Sequence, residues 1–164
     1  MAKILIVVLA LVAVAAAQQR KIGSAGLSLL KQSEGFVPNF YKDQIGLQTI
    51  GYGHACQWQG CAGINPPITE AQGTQILMKD LVQFEDCVNT AAPGLTQNQY
   101  DACVDFAFNM GCGAFQGSDI LRNIKAKNYQ AAANSFAEYN VAGGQVIEGL
   151  TVRRQNEKNL FLKK

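Results

Sequence analysis

The chain has one histidine, one tryptophan and four prolines among 164 residues. A lone histidine argues against a histidine-rich metal centre. The five cysteines do not repair the deficit, because Cys56-x₄-Cys61 has no second close cysteine pair to complete four ligands. No metal and no cofactor is therefore expected. Charge of one sign is also missing: 14 Lys and Arg face 12 Asp and Glu, a net of +2. That is too little for strong electrostatic capture of an anionic polymer, and no nucleic-acid partner is expected. Internal repeats and low-complexity segments are absent. What is present, 48% hydrophobic and 16% charged residues, is the composition of a globular protein.

A long apolar run occurs at the start. Lys3 precedes an unbroken stretch from Ile4 to Val14, and Ala15-Ala16-Ala17 before Gln18 fits a small-residue cleavage site. The 14 residues from Ile4 to Ala17 fall short of the roughly 20 that span a bilayer. Residues 1–17 are therefore read as a cleaved secretory signal rather than a retained anchor, with no stable membrane insertion afterwards. Residues 18–164 form the mature domain, with 13 basic and 12 acidic side chains. A secreted chain permits disulfides, and five cysteines leave at least one thiol over. Cys56 and Cys61 are spaced to close a small loop. Cys103, in the apolar stretch Ala102 to Phe108, reads as a buried free thiol. Cys87 and Cys112 would then tie two helix ends, although sequence alone does not fix connectivity.

Ser24 reads as the N-cap of a helix that carries Glu34 near its end and stops at Gly35 and Pro38. Phe40 to Asp43 and Leu47 to Tyr52 read as a hairpin turning at Gln44-Ile45-Gly46. Residues 55–67 read as a loop. Thr69 with Gln72 is a capping box opening a helix of about 19 residues, long enough to link two lobes. Thr96 with Gln99 repeats the box and starts a helix to Met110, closed by Gly111 and Gly113. Ser118 and Asn128 cap two shorter helices, Gly143-Gly144 forms a loop, and Leu150 to Leu162 is the last helix. Few strands early and many helices later give an α+β fold.

Glu34 and Asp43 stand on two adjoining elements. A glutamate at a helix C-terminus works against the helix dipole by about 0.3–1 kcal/mol, so its position needs a reason. A carboxylic acid paired with a carboxylate across a cleft suits glycosidic bond hydrolysis, where one protonates the leaving oxygen and the other handles water.

The spacing Glu34-(8)-Asp43-(5)-Thr49, running into Thr49-Ile50-Gly51-Tyr52-Gly53-His54, resembles the phage-type lysozymes, glycoside hydrolase family 24. Leu95 to Ala102 with Phe106 to Gly113, and Gly149-Leu150 with Arg153, Arg154 and Glu157, resemble that family's later blocks in the same order. The likeness runs from about residue 24 to 162. It implies a lysozyme-like fold: a small β-containing lobe and a larger helical lobe joined by a long helix, with the cleft between. It implies Glu34 as catalytic acid, Asp43 as the carboxylate that orients water, and Thr49 as its hydroxyl partner. His54 is implied to be structural near the cleft. The expected partner is bacterial peptidoglycan, cut with inversion by a secreted monomer.

The other candidates stay open. Trp58 could stack on a sugar or merely cover the small lobe. Arg153 and Arg154 could meet a cleft carboxylate, bind muramic acid carboxylates, or form an inter-helix ion pair. A non-catalytic wall-binding or membrane-active protein, a lytic transglycosylase and a chitinase are the rival readings. The first would not need Glu34, and the second would leave Asp43 and Thr49 idle.

Overall fold

The computed structural model describes residues 19–43 and 45–164. The expected signal segment, residues 1–17, lies outside the described residues. Helix α1 (Ser24–Glu34) leads into a three-stranded antiparallel sheet in the order β1 (Val37–Lys42), β2 (Gln48–Gly51), β3 (His54–Ala55). A four-residue helix α2 (Cys56–Gln59) follows, then the long α3 (Glu70–Ala91), α4 (Gln97–Met110), α5 (Cys112–Gln116), α6 (Asp119–Lys125), α7 (Tyr129–Ser135) and a 3₁₀ turn at Phe136–Glu138. A short hairpin, β4 (Val141–Ala142) and β5 (Gln145–Val146), precedes α8 (Glu148–Leu162).

The α+β architecture is that of a sheet lobe and a helical lobe sharing one long helix. At 22 residues, α3 is three residues longer than the expected length of about 19, and it opens with the expected Thr69–Gln72 capping box. Near its start α3 meets the sheet lobe at Gly73, where any Cβ would fall 2.7 Å from the Phe36 ring. Farther on, Leu81 and Val88 join the helical core. That core centres on α4. Phe106 meets Phe115, Phe136 and Tyr139 edge-on at centroid distances of 6.4, 5.8 and 5.0 Å, a favoured aromatic geometry. Cys87–Cys112 ties α3 to the start of α5, Cys56–Cys61 closes the α2 loop, and Cys103 is a buried free thiol.

Several local expectations change. Ser24 is not the N-cap of α1; Gly23 is, and no side chain of its own caps it. The buried Asp101 carboxylate on α4 accepts instead from Gly23 N at 2.9 Å and Gly26 N at 3.1 Å. The approach is close enough that a Cβ at Gly26 would lie 2.5 Å from Asp101 Cβ. The expected 55–67 loop contains α2, and Gly113 lies inside α5 rather than closing α4. Gly143-Gly144 is the tight turn of the β4–β5 hairpin, both residues at positive φ as such a turn requires.

The two capping candidates are separable. Asp101→Ala removes two charge-assisted bonds to the α1 terminus and is expected to cost about 2–4 kcal/mol in urea unfolding. Ser24→Ala is expected to stay within about 0.5 kcal/mol. Equal losses would mean that α1 is capped locally.

Candidate active site

The β1–β2 turn is built on Asp43. Its Oδ1 accepts from Ile45 N at 3.0 Å and Leu47 N at 2.8 Å, and its own backbone N–H donates to Leu47 O at 3.0 Å. The carboxylate thus fixes the turn that carries it. Thr49 follows on β2, buried, with its hydroxyl donating to Leu47 O at 3.1 Å. Glu34 closes α1. Gly53, between β2 and β3, comes close enough that a Cβ there would sit 3.4 Å from Glu34 Oε2. Glu34, Asp43, Thr49 and Gly53 line one cavity of about 640 Å³ together with Tyr41 and Asn109. The structure therefore brings together the three residues that the motif singled out. Burial raises the pKa of the Tyr41 hydroxyl, and the Glu34 and Asp43 carboxylates add to the rise.

Two further cavities open off Glu34. One, of about 480 Å³, is walled by Trp58 and Gln59 of the α2 loop and by Phe84 and Phe108. Phe84 and Phe108 meet edge-on at 5.3 Å, and Trp58 is 69% exposed. The other, of about 540 Å³, is walled by Ile147, Leu150, Val152 and Arg153. Together the three cavities form a trough crossing Glu34. His54 stands behind it, buried, with Nδ1 2.8 Å from Asp80 Oδ2 and Nε2 2.9 Å from Gly60 O. Among the described residues no group of three His, Cys, Asp or Glu could hold a metal ion.

The two arginines behave differently. Arg153, 7% exposed, donates to Glu34 Oε1 at 2.6 Å and to Asp105 Oδ1 and Oδ2 at 2.9 and 3.2 Å. This bidentate grip on Asp105 turns the remaining Nη1 toward Glu34, fixing its rotamer and leaving Oε2 facing Gly53. Burial alone would lower the Arg153 pKa, but Asp105 and Glu34 outweigh it and hold it above its ordinary value. Arg154, 1% exposed, cannot reach the cleft. It lies over the Phe106 ring at 4.8 Å and donates to Asn109 Oδ1 at 3.0 Å and Glu157 Oε1 at 2.5 Å. Of the roles left open for it, the structure places it in the inter-helix one, because its guanidinium is buried against Phe106, Asn109 and Glu157. Burial lowers its pKa, partly offset by Glu157.

Glu157 is buried between both arginines. Burial raises its pKa well above 4.5 and Asp105 adds to the rise, with Arg154 and Arg153 opposing. The cluster supports that direction: Glu34, Asp105 and Glu157 are three acids against two guanidinium groups, one negative charge in excess. Asn109 went unremarked in the sequence, yet it lines all three cavities. A signal was available. Beyond the polar first turn of α4, Asp101, Asp105 and Asn109 recur every four residues among otherwise apolar or aromatic residues from Tyr100 to Met110, a polar row that a core helix carries only when it is used.

The "Phage lysozyme" family model matches residues 31–157. This chain belongs to the phage lysozyme family. It is 39% identical over 144 residues to the endolysin of Salmonella phage P22, covering 87% of this chain and 98% of that one. It is 38% identical over 146 residues to the endolysin of Bacillus phage B103, covering 86% of this chain but only 54% of that relative's length. A SAR-endolysin of Haemophilus phage HP1 is 31% identical over 160 residues, 88% of this chain and 83% of its own. Among solved structures, the muramidase domain of SpmX from Asticaccaulis excentricus superposes with a TM-score of 0.78 at 35% identity, covering 88% and 99% of the two chains. The chain is thus a lysozyme-type glycoside hydrolase acting on peptidoglycan.

Two substitutions test this geometry. Gly53, at φ +82°, tolerates no side chain without strain; Gly53→Ala is expected to cost about 1–2 kcal/mol in stability and to slow turnover by laying a methyl group against Glu34 Oε2, where the substrate oxygen must approach. The folded Glu157 pKa lies above its unfolded value, so its stabilising contribution is complete below pH 4.5 and fades as pH rises through the folded value. Glu157→Gln mimics the protonated form. The melting-temperature advantage of wild type over this variant should therefore shrink as pH rises above 4.5. A gap that widens would mean that Glu157 is ionised and paired.

Proposed function

We propose that residues 18–164 form a secreted muramidase that cleaves the β-1,4 bond between N-acetylmuramic acid and N-acetylglucosamine with inversion, acting as a monomer. The observation that carries the residue roles is the shared cavity of Glu34, Asp43 and Thr49. Glu34 Oε2, the oxygen not engaged by Arg153, protonates the glycosidic oxygen as the bond breaks. Asp43 Oδ1 is committed to the turn, so Oδ2 orients a water on the opposite ring face and takes its proton. The Thr49 hydroxyl gives its hydrogen to Leu47 O and offers its lone pairs to that water. Two carboxyl groups about 6.5–9.5 Å apart leave room for the water, whereas about 5–5.5 Å would favour retention.

The trough on either side of Glu34 supports an extended glycan substrate. Trp58, with Phe84 and Phe108, offers apolar faces for a sugar ring. Arg153 acts through Glu34 rather than as a separate carboxylate receptor. Export is supported by the apolar leader with its Ala15-Ala16-Ala17 site and by the likeness to a SAR-endolysin. Among the described residues no helix is long and apolar enough to cross a membrane.

Clearing of purified peptidoglycan by wild type and Glu34→Gln, with mass spectrometry of the products, tests the reading. A loss of about 10²–10⁴-fold in the variant, with wild-type products each carrying one added water at a reducing end, is expected. Anhydro ends would make the protein a lytic transglycosylase. Equal clearing by both proteins would point to a wall-binding or membrane-active protein.

A further inference from the structure

Trp58 stands on a closed tile. Cys56 and Cys61 are bonded, α2 fills the loop between them, and Gly60 N returns to Cys56 O at 3.0 Å. Gln59 Oε1 accepts from Ala55 N at 2.9 Å. The disulfide and these bonds make the tile move as one body, so whatever holds Gly60 also holds Trp58.

That holder is His54. The Gly60 carbonyl can only accept, so the Nε2 atom 2.9 Å away must carry a hydrogen. Asp80, when ionised, can also only accept, so Nδ1 must carry one too. Both bonds exist together only while a proton is held between the ring and the carboxyl, as imidazolium with carboxylate or as neutral ring with carboxylic acid. We infer that His54 is a positioning residue for the glycan: its doubly bonded ring clamps the Cys56–Cys61 tile to α3 and so sets where Trp58 meets the sugar. The inference rests on Trp58 being a sugar contact.

The charged group at the ring is the Asp80 carboxylate of α3, on which the exposed Lys79 of the same helix acts in turn. The neighbouring strand β2 brings Ile50 and Thr49, paired with His54 and Ala55, and the tile brings the Gly60 carbonyl and the Gln59 amide. Burial raises the Asp80 pKa, with His54 and then Lys79 opposing, which favours keeping the shared proton. As pH rises and the proton leaves, the ring keeps one donor for two acceptors. The bond to the carboxylate is charge-assisted and roughly twice as strong as a neutral one, so Nδ1–H stays with Asp80. Nε2 then turns a lone pair toward Gly60 O, the two repel, and the tile lets go.

Trp58 is the only tryptophan beside five tyrosines, so emission excited at the red edge of the indole band, beyond tyrosine absorption, reports the tile. The experiment uses the mature chain as wild type, His54→Gln and Trp58→Ala, each checked for folding by circular dichroism, with soluble uncross-linked peptidoglycan strands as substrate. His54→Gln is expected to raise KM about fivefold with kcat within about twofold of wild type, the order for loosening one aromatic contact. Wild-type Trp58 emission and acrylamide quenching should change in a one-proton step as pH rises, with circular dichroism constant, and the step should be missing in His54→Gln. Emission that stays flat in wild type, or a fall in kcat at unchanged KM in His54→Gln, overturns the clamp. If His54→Gln does not fold, the wild-type titration decides alone. An unchanged KM in Trp58→Ala beside a clear wild-type emission step would overturn the sugar contact, and with it the glycan role, while leaving the clamp standing.

Discussion

The guanidinium of Arg153, buried where α1, α4 and α8 meet, is the constraint on which the cleft depends. It reaches from α8 to Asp105 on α4 and to Glu34 on α1, a partner 119 residues away in sequence. Removing one partner of such a buried pair typically costs about 3–5 kcal/mol, because the surviving charge is left uncompensated. The position of Glu34 is therefore set by the packing of the whole helical lobe. Arg154 backs the arrangement from the same helix. Its Nε and Nη1 find no protein hydrogen-bond partner, a cost partly offset by the face of Phe106 beneath it.

Helix α4 carries the complementary polar row. Asp101 caps α1 at its start, Asp105 anchors Arg153 at its middle, and Asn109 reaches the trough at its end. One helix thus fixes the beginning of α1 by a cap and the end of α1 through an arginine, and Glu34 is the last residue of that helix. Across the cleft, Asp43 is held by the turn it builds, a local device that owes little to the helical lobe. The two carboxylates of the site are positioned by independent means, one long-range and one short-range. That independence keeps a fixed distance between them only while the two lobes keep their relation through α3.

The difference between short- and long-range control also explains what could be read in the sequence. The Glu34, Asp43 and Thr49 spacing, the two Thr–Gln capping boxes, the caps Ser118 and Asn128 and the α3 link depend on residues a few positions apart, and each is legible. Ser24 looked like a cap because local pattern offers a serine at the right place; Asp101, 75 residues from Gly26, supplies the cap instead. Arg154 stayed open between a cleft contact and an inter-helix ion pair because nothing in its own helix shows that α4 covers it. The β4–β5 hairpin was missed because two-residue strands carry almost no periodic signal, although Gly143-Gly144 is the dipeptide that such a turn favours.

In the proposed mechanism Glu34 and Asp43 act on opposite faces of the sugar, one giving a proton and the other holding water. Proton NMR of the first products from soluble glycan strands, recorded before mutarotation, tests it most directly. The new reducing end is expected to appear as the α-anomer. A product that appears first as the β-anomer would contradict it, since Asp43 or another group would then be forming a covalent intermediate rather than guiding water.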